Sequence, residues 1–274
     1  MEIRRISGAL GAEIGGVDLR KDLPADAVAD IRRALLEHLV VFFRDQPLTP
    51  GEFMAFARRM GKPVEYPFVK GIESHPEIIE VKKLEHERHN FGGIWHSDTA
   101  YLAEPPMGSM LLAREIPPYG GDTEFANQTL AYEALSGELK RVLSSLKALN
   151  SSSKADVSRT REDRIRADGR TDSKDEYAAE HPVVRTHPET GRKALYVNVA
   201  HTARFAGMTE EESAPLLEFL FRHQVKPEFT CRFAWRAASL AFWDNRCTQH
   251  HPINDYHGHR RVMHRITLAG DKPR

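Results

Sequence analysis

Three runs of residues carry the side chains that could build a reactive centre. Ile94-Trp95-His96-Ser97-Asp98-Thr99-Ala100-Tyr101 places an imidazole and a carboxylate two residues apart. Read as an extended strand, the run alternates its side chains, so His96 and Asp98 share a face and can chelate one ion. His75-Pro76-Glu77 and His187-Pro188-Glu189 have the same spacing, but proline marks both as turns, the second leading through Thr190-Gly191 into a hairpin. A third ligand is available in Trp243-Asp244-Asn245-Arg246-Cys247-Thr248-Gln249-His250-His251-Pro252, where either His250 or His251 would serve. Two imidazoles and one carboxylate on one face of an octahedron leave three positions open, as in non-haem Fe(II) oxygenases. The same donors would suit a zinc-type barrel hydrolase with one bound water.

A second pattern bears on that choice. Arg260-Arg261-Val262-Met263-His264-Arg265-Ile266-Thr267 reads as a strand with Arg261 and Arg265 on one face. Four residues at roughly 3.3 Å each separate them by about 13 Å, a spacing that points to two anionic groups rather than one. Guanidinium forks suit carboxylates and sulfo or phospho oxyanions, so one arginine can hold a dicarboxylate cosubstrate and the other the substrate. The hydrolase reading leaves this spacing without a role. A non-catalytic anion-binding module would tolerate the loss of a ligand, whereas here all three ligand positions are filled.

The elements that must position these residues are legible in outline. Val28, Ile31 and Leu35 recur at helical spacing, and Thr49-Pro50-Gly51-Glu52 is a capping box with proline at the first helical position, turning Phe53, Phe56 and Met60 inward. Leu39 to Phe43 suits a buried strand, Leu130 to Leu149 a helical stretch, and Thr209 with Glu212 a further capped helix leading to Leu216, Leu217 and Leu220. Short strands are expected at Gly108 to Ala113, Ala194 to Val199, Ala238 to Trp243 and Arg261 to Ala269. Their order favours a jelly roll with flanking helices over βαβ units. No linker divides the chain, so one domain over 1–274 is expected, with a polar insertion or lid at about 151–180.

Composition removes other classes. The 39 basic residues balance 39 acidic ones, which gives no field for nucleic acid or an anionic membrane. The opening Met1-Glu2-Ile3-Arg4-Arg5 lacks the apolar core of a signal peptide and Leu39 to Phe43 is too short to cross a bilayer, so a cytoplasmic protein is expected. Cys231 and Cys247 alone cannot form a thiolate zinc cage, which leaves His and carboxylates to hold any metal.

Taken together these blocks resemble the taurine dioxygenase (TauD/TfdA) family of Fe(II)- and 2-oxoglutarate-dependent dioxygenases. The likeness runs nearly end to end: Gly11-Ala12-Glu13-Ile14-Gly15-Gly16-Val17-Asp18-Leu19, Trp95 to Asp98, Pro117-Pro118-Tyr119-Gly120-Gly121-Asp122-Thr123, Tyr196-Val197-Asn198, Trp243 to Arg246 with Thr248 and His250, Asp255-Tyr256, and Arg261 to Arg265. The resemblance implies a double-stranded β-helix, a jelly-roll barrel with helices on one side. It implies His96, Asp98 and His250 as iron ligands, with His251 either behind the ligands or structural, and Thr123 and Arg261 on the distal carboxylate of 2-oxoglutarate. Arg265 would face the anion of a small organic substrate, which dioxygen hydroxylates with release of succinate and carbon dioxide. Family members are commonly dimers or tetramers, so a homodimer or homotetramer is expected.

The substrate reading is broader than taurine. An alkyl sulfonate, a sulfate ester or an aryloxy carboxylate fits, with an amino acid or natural product as the alternative on the same scaffold. Taurine-specific relatives carry asparagine where this chain has Gly92, and phenylalanine where it has His201. His201 is therefore expected to line the pocket and donate a hydrogen bond to substrate. In the loop Val64 to Lys70, Tyr66 and Phe68 are candidate substrate contacts, whereas Trp95, Tyr101 and Trp243 read first as barrel core, with cofactor or substrate contact as the alternative.

Overall fold

The computed structural model describes residues 1–90, 92–154 and 177–274. In chain order the strands are β1 (Glu2–Arg5), β2 (Ala12–Gly15), β3 (Val40–Phe43), β4 (Pro63–Val64), β5 (Ile78–Lys83), β6 (Gly108–Glu115), β7 (Thr123–Asn127) and β8 (Lys147–Ser151). They continue with β9 (Ala178–Pro182), β10 (Val184–Thr186), β11 (Lys193–Leu195), β12 (Thr202–Phe205), β13 (Thr230–Phe233), β14 (Leu240–Asp244), β15 (Thr248–Pro252) and β16 (Arg261–Leu268). The helices are α1 (Ala25–His38), α2 (Pro50–Met60), α3 (Gln128–Glu133), α4 (Gly137–Ser144) and α5 (Glu210–His223).

The major sheet runs β1-β2-β3-β14-β6-β16-β4, with β5 pairing β16 as well, and the minor sheet runs β13-β7-β15. Strand alternation gives the major sheet two apolar faces. Val41, Phe43, Met110, Leu112, Leu240, Phe242, Ile266 and Leu268 form the outer face, packed on Ile31 and Leu35 of α1 and on Phe53 and Phe56 of α2. Val40, Phe42, Ala113, Ala241, Trp243 and Met263 turn the other way and meet Phe125 and Phe233 of the minor sheet. Phe42 stacks on Phe233 with ring centroids 4.0 Å apart. This is the mainly β jelly-roll arrangement, and Arg261 and Arg265, two residues before and two residues after Met263 and so of the same parity, lie on its inner face.

Both capping boxes form: Thr49 with Glu52 opens α2 and Thr209 with Glu212 opens α5. Two expectations are corrected. The run from Leu130 to Leu149 is two helices and a strand, because the Ser136 hydroxyl accepts from the Leu139 N–H and starts a new helix inside the apolar pattern. The stretch at Ala194 to Val199 is strand only as far as Leu195. The polar segment expected at 151–180 begins in β8 and ends in β9, where Ser151 and Ala178 are register partners. The remainder of that segment, 155–176, lies outside the described residues.

Candidate active site

His96 and Asp98 converge, but not as strand neighbours. His96 forms an isolated bridge to His250: its N–H donates to the His250 carbonyl at 3.1 Å, and its carbonyl accepts from the His250 N–H at 2.8 Å. That bridge lays the two imidazoles side by side, with centroids 4.2 Å apart. Asp98 stands in the turn that follows, where Thr99 takes a φ of 41°, and its Oδ1 reaches to 3.7 Å from His96 Nε2 and 3.8 Å from His250 Nε2. All three side chains are buried.

The donor set fits a divalent metal ion. His96 Nδ1 donates to the Ile94 carbonyl at 2.7 Å, which leaves the Nε2 lone pair facing the centre, the tautomer a metal ligand needs. His250 is packed between Trp243 and Phe125; burial, then the neighbouring His96 and Arg265, push its pKa well below the usual histidine value and keep it neutral. Burial would raise the Asp98 pKa, but Arg265, the two imidazoles and the Ser109 hydroxyl outweigh it and hold the carboxyl well below the usual range. His251 alternates to the other side of β15, with Nδ1 3.5 Å from Glu124 Oε2 and its ring against Trp95. The structure thus brings His96, Asp98 and His250 together and leaves His251 out.

A second group, His187, Asp244 and Cys247, is also compact enough for an ion. Its Asp244 and His187 members are already engaged. Arg246 donates to both Asp244 oxygens at 2.8 and 2.6 Å and to Glu189 at 2.7 Å, while His187 Nε2 donates to Asp244 at 3.0 Å. His187 Nδ1 accepts from the N–H groups of Glu189 and Thr190, which explains the His-Pro-Glu turn as a structural device.

Arg261 and Thr123 supply an anion site. The guanidinium is buried, and neither Nε nor Nη2 finds an acceptor among the described residues. Burial draws the Arg261 pKa down against the pull of Tyr256 and Asp122, so a bound carboxylate is the partner that would offset the desolvation. Thr123 Oγ1 accepts from Trp235 Nε1 at 3.0 Å, which leaves its own proton for a ligand oxygen. The paired glycines make the approach possible: Gly121 has a φ of 69°, and a Cβ there would press on Arg261 and Tyr256 at 3.2 Å. A cavity of about 40 Å³ is lined by Thr123, Arg261, His96, His250, Trp243 and Arg265, so the two imidazole donors and the anion site share one space.

The other expected residues divide. Arg265 stands against the metal donors, with Nη2 2.8 Å from Asp98 Oδ1, and its guanidinium lies 5.3 Å from the Tyr66 ring. His201 is buried, edge-on to Tyr101 at 4.9 Å and 6.1 Å from the His96 ring. Phe68 lies behind Tyr66, packed edge-on to Tyr101 and Tyr177. Gly92 fits a tight place: with a φ of 70°, a Cβ there would come within 2.9 Å of His96 Cε1. Two polar residues beside Asp98 had no role in the sequence reading, Ser109 and Asn245. The available signal was a lone serine among the inward-facing positions of β6.

A buried three-donor site sharing a cavity with an arginine that awaits a carboxylate is the pairing that a 2-oxoglutarate-dependent, non-haem iron dioxygenase requires. The chain belongs to the taurine catabolism dioxygenase TauD, TfdA family, whose model matches residues 2–267. It is 36% identical over 278 residues to an alkylsulfatase of Acinetobacter baylyi, covering 99% of this chain and 86% of the relative. It is 34% identical over 280 residues to an alpha-ketoglutarate-dependent sulfate ester dioxygenase of Pseudomonas putida, covering 100% and 91%. A solved structure of a putative alpha-ketoglutarate-dependent taurine dioxygenase from Burkholderia xenovorans superposes with a TM-score of 0.84 at 38% identity, covering 99% and 93%. The chain is an enzyme of this class, and it uses Fe(II), 2-oxoglutarate and dioxygen on a small organic substrate. No helix among the described residues is long and apolar enough to cross a membrane.

Proposed function

We propose that this dioxygenase hydroxylates a small organic anion, with an alkyl sulfate ester as the first choice and alkyl sulfonates and aryloxy carboxylates next. The observation that carries the reading is the shared cavity, lined by His96 and His250 of the His96, Asp98 and His250 donor set together with Thr123 and Arg261. The sulfate-ester chemistry of the two relatives supports the choice of ester.

In this reading His96, Asp98 and His250 hold Fe(II). Bound there with 2-oxoglutarate, the iron supplies the oxidising power that converts a C–H bond to C–OH while the cosubstrate becomes succinate and carbon dioxide. Arg261 and Thr123 bind the distal carboxylate and so fix the direction in which the cosubstrate enters. Arg265 places a positive charge beside the metal donors for the substrate anion, and Tyr66 supports it from the other side. His201, beside His96, donates a hydrogen bond to the substrate, and Phe68 with Tyr101 forms an apolar backing that excludes water. Hydroxylation of the carbon bearing the sulfate gives a hemiacetal-like product. Its hydroxyl proton leaves, the bond between the hydroxylated carbon and the ester oxygen breaks with that oxygen staying on sulfur, and an aldehyde and hydrogen sulfate are released.

The balanced charge and two buried thiols support a cytoplasmic, single-domain protein without nucleic-acid or membrane partners. The homodimer or homotetramer rests on the family resemblance, and light scattering measures it.

The reading is tested by incubating the protein with ferrous iron, 2-oxoglutarate and air against a panel of sulfate esters, sulfonates, aryloxy acids and amino acids. Succinate formation stimulated most by an alkyl sulfate, with aldehyde and sulfate appearing together, is the expected result. Sulfate release without oxygen uptake would instead indicate a hydrolase, and stimulation by amino acids alone would redirect the substrate class.

A further inference from the structure

Asp98 has two carboxylate oxygens, and the fate of the second one decides how many places remain at the metal. Ser109 on β6 is fully buried, and its hydroxyl donates to Asp98 Oδ2 at 2.7 Å. Ser109 Oγ also accepts from Asn245 Nδ2 at 3.0 Å. Asn245 is fixed in turn, since its Oδ1 accepts from Trp243 Nε1 at 2.9 Å and from the Asp98 N–H at 3.4 Å. A hydroxyl has one proton, so with Asn245 occupying a lone pair that proton is committed to Oδ2. Oδ1 is the oxygen left facing the Nε2 atoms of His96 and His250.

The count of positions gives this arrangement a consequence. In an octahedron two imidazoles and one oxygen take three places, 2-oxoglutarate takes two, and one remains for dioxygen. Carboxylates also bind metals through both oxygens, which would fill that last place. We propose that Ser109, held by Asn245, is a positioning residue that restricts Asp98 to one-oxygen ligation and thereby keeps the dioxygen position open. The inference rests on the reading of His96, Asp98 and His250 as the ligands.

The experiment uses the full chain without oxygen, loaded with Fe(II) and 2-oxoglutarate, and titrates nitric oxide as a surrogate for dioxygen. The high-spin nitrosyl signal is followed by electron paramagnetic resonance, and Fe(II) affinity is measured separately by equilibrium dialysis. S109A is expected to weaken nitric oxide binding about tenfold or more while retaining Fe(II), and S109C, with a weak donor of similar size, to fall between. If S109A does not fold, S109C against wild type carries the comparison. Nitric oxide binding equal to wild type in either variant overturns the proposal. So does a parallel loss of Fe(II) and nitric oxide, which would mean that Ser109 only maintains packing. A wild-type protein that binds no Fe(II) overturns the ligand assignment, and the role of Ser109 with it.

Discussion

Arg265 Nη2 lies 2.8 Å from Asp98 Oδ1, the same oxygen that faces both imidazoles. A guanidinium so close to the ligand oxygen repels a divalent cation while it attracts anions. Arg265→Ala is therefore expected to tighten binding of Mn(II) or Fe(II), measured by calorimetry, and to raise the KM for the organic anion. Arg261→Met is expected to do neither. It should weaken 2-oxoglutarate binding about a hundredfold, because it removes the charged partner of a buried carboxylate. Identical behaviour of the two variants would contradict the division of labour.

Asp244 is the hub of a buried ion cluster with Arg246 and His187. Burial alone would raise its pKa, but hydrogen bonds from Arg246 and His187 hold the carboxyl well below the usual range. Asp244→Asn leaves the Arg246 charge largely uncompensated and is expected to cost about 3–5 kcal/mol in urea unfolding. Zinc titration of the wild type should show no ion at His187, Asp244 and Cys247. A destabilisation under about 1 kcal/mol would mean that the cluster contributes specificity rather than stability.

Stability should fall on mild acidification. Burial lowers the pKa of His181, His264 and His38 below the usual 6.5, so each is neutral in the fold and takes up a proton more readily once unfolded. Their contribution is complete above about pH 6.5 and is lost as pH falls toward the depressed folded values. Thermal melts of the metal-free protein from about pH 7.5 to 5.5 should show a declining Tm. A Tm that rises over this window would contradict the sign.

His201 stands edge-on to Tyr101 and near His96. His201→Phe is expected to change the ranking of substrates in the succinate assay while 2-oxoglutarate affinity stays within about twofold, since Arg261 is untouched. An unchanged ranking would remove His201 from the substrate pocket.

Much of the site was legible because its chemistry needs rare residue types. Arg261 and Arg265 were correctly read on one face, since strand alternation persists along all of β16. The His96 to Asp98 strand was misread, because a turn of three residues can converge two ligands as well as a pleat can, and the bridge to His250 is a contact across 154 positions that no local pattern records. The helix from Leu130 was misread for a different reason: apolar periodicity continued past Ser136, whose capping role depends on where its hydroxyl points. Ser109 went unnoticed, and Asn245 entered only as part of the Trp243 to Arg246 block, because neither type advertises a metal site. Their meaning comes from the network that joins them to Asp98.

The most direct test of the account is ferrous iron binding by single-ligand variants in the absence of oxygen. The wild type and His251→Ala should bind one Fe(II) with similar affinity, whereas His96→Ala, Asp98→Ala and His250→Ala should each lose binding by about two orders of magnitude. Retention of iron by His250→Ala together with its loss in His251→Ala would contradict the centre described above.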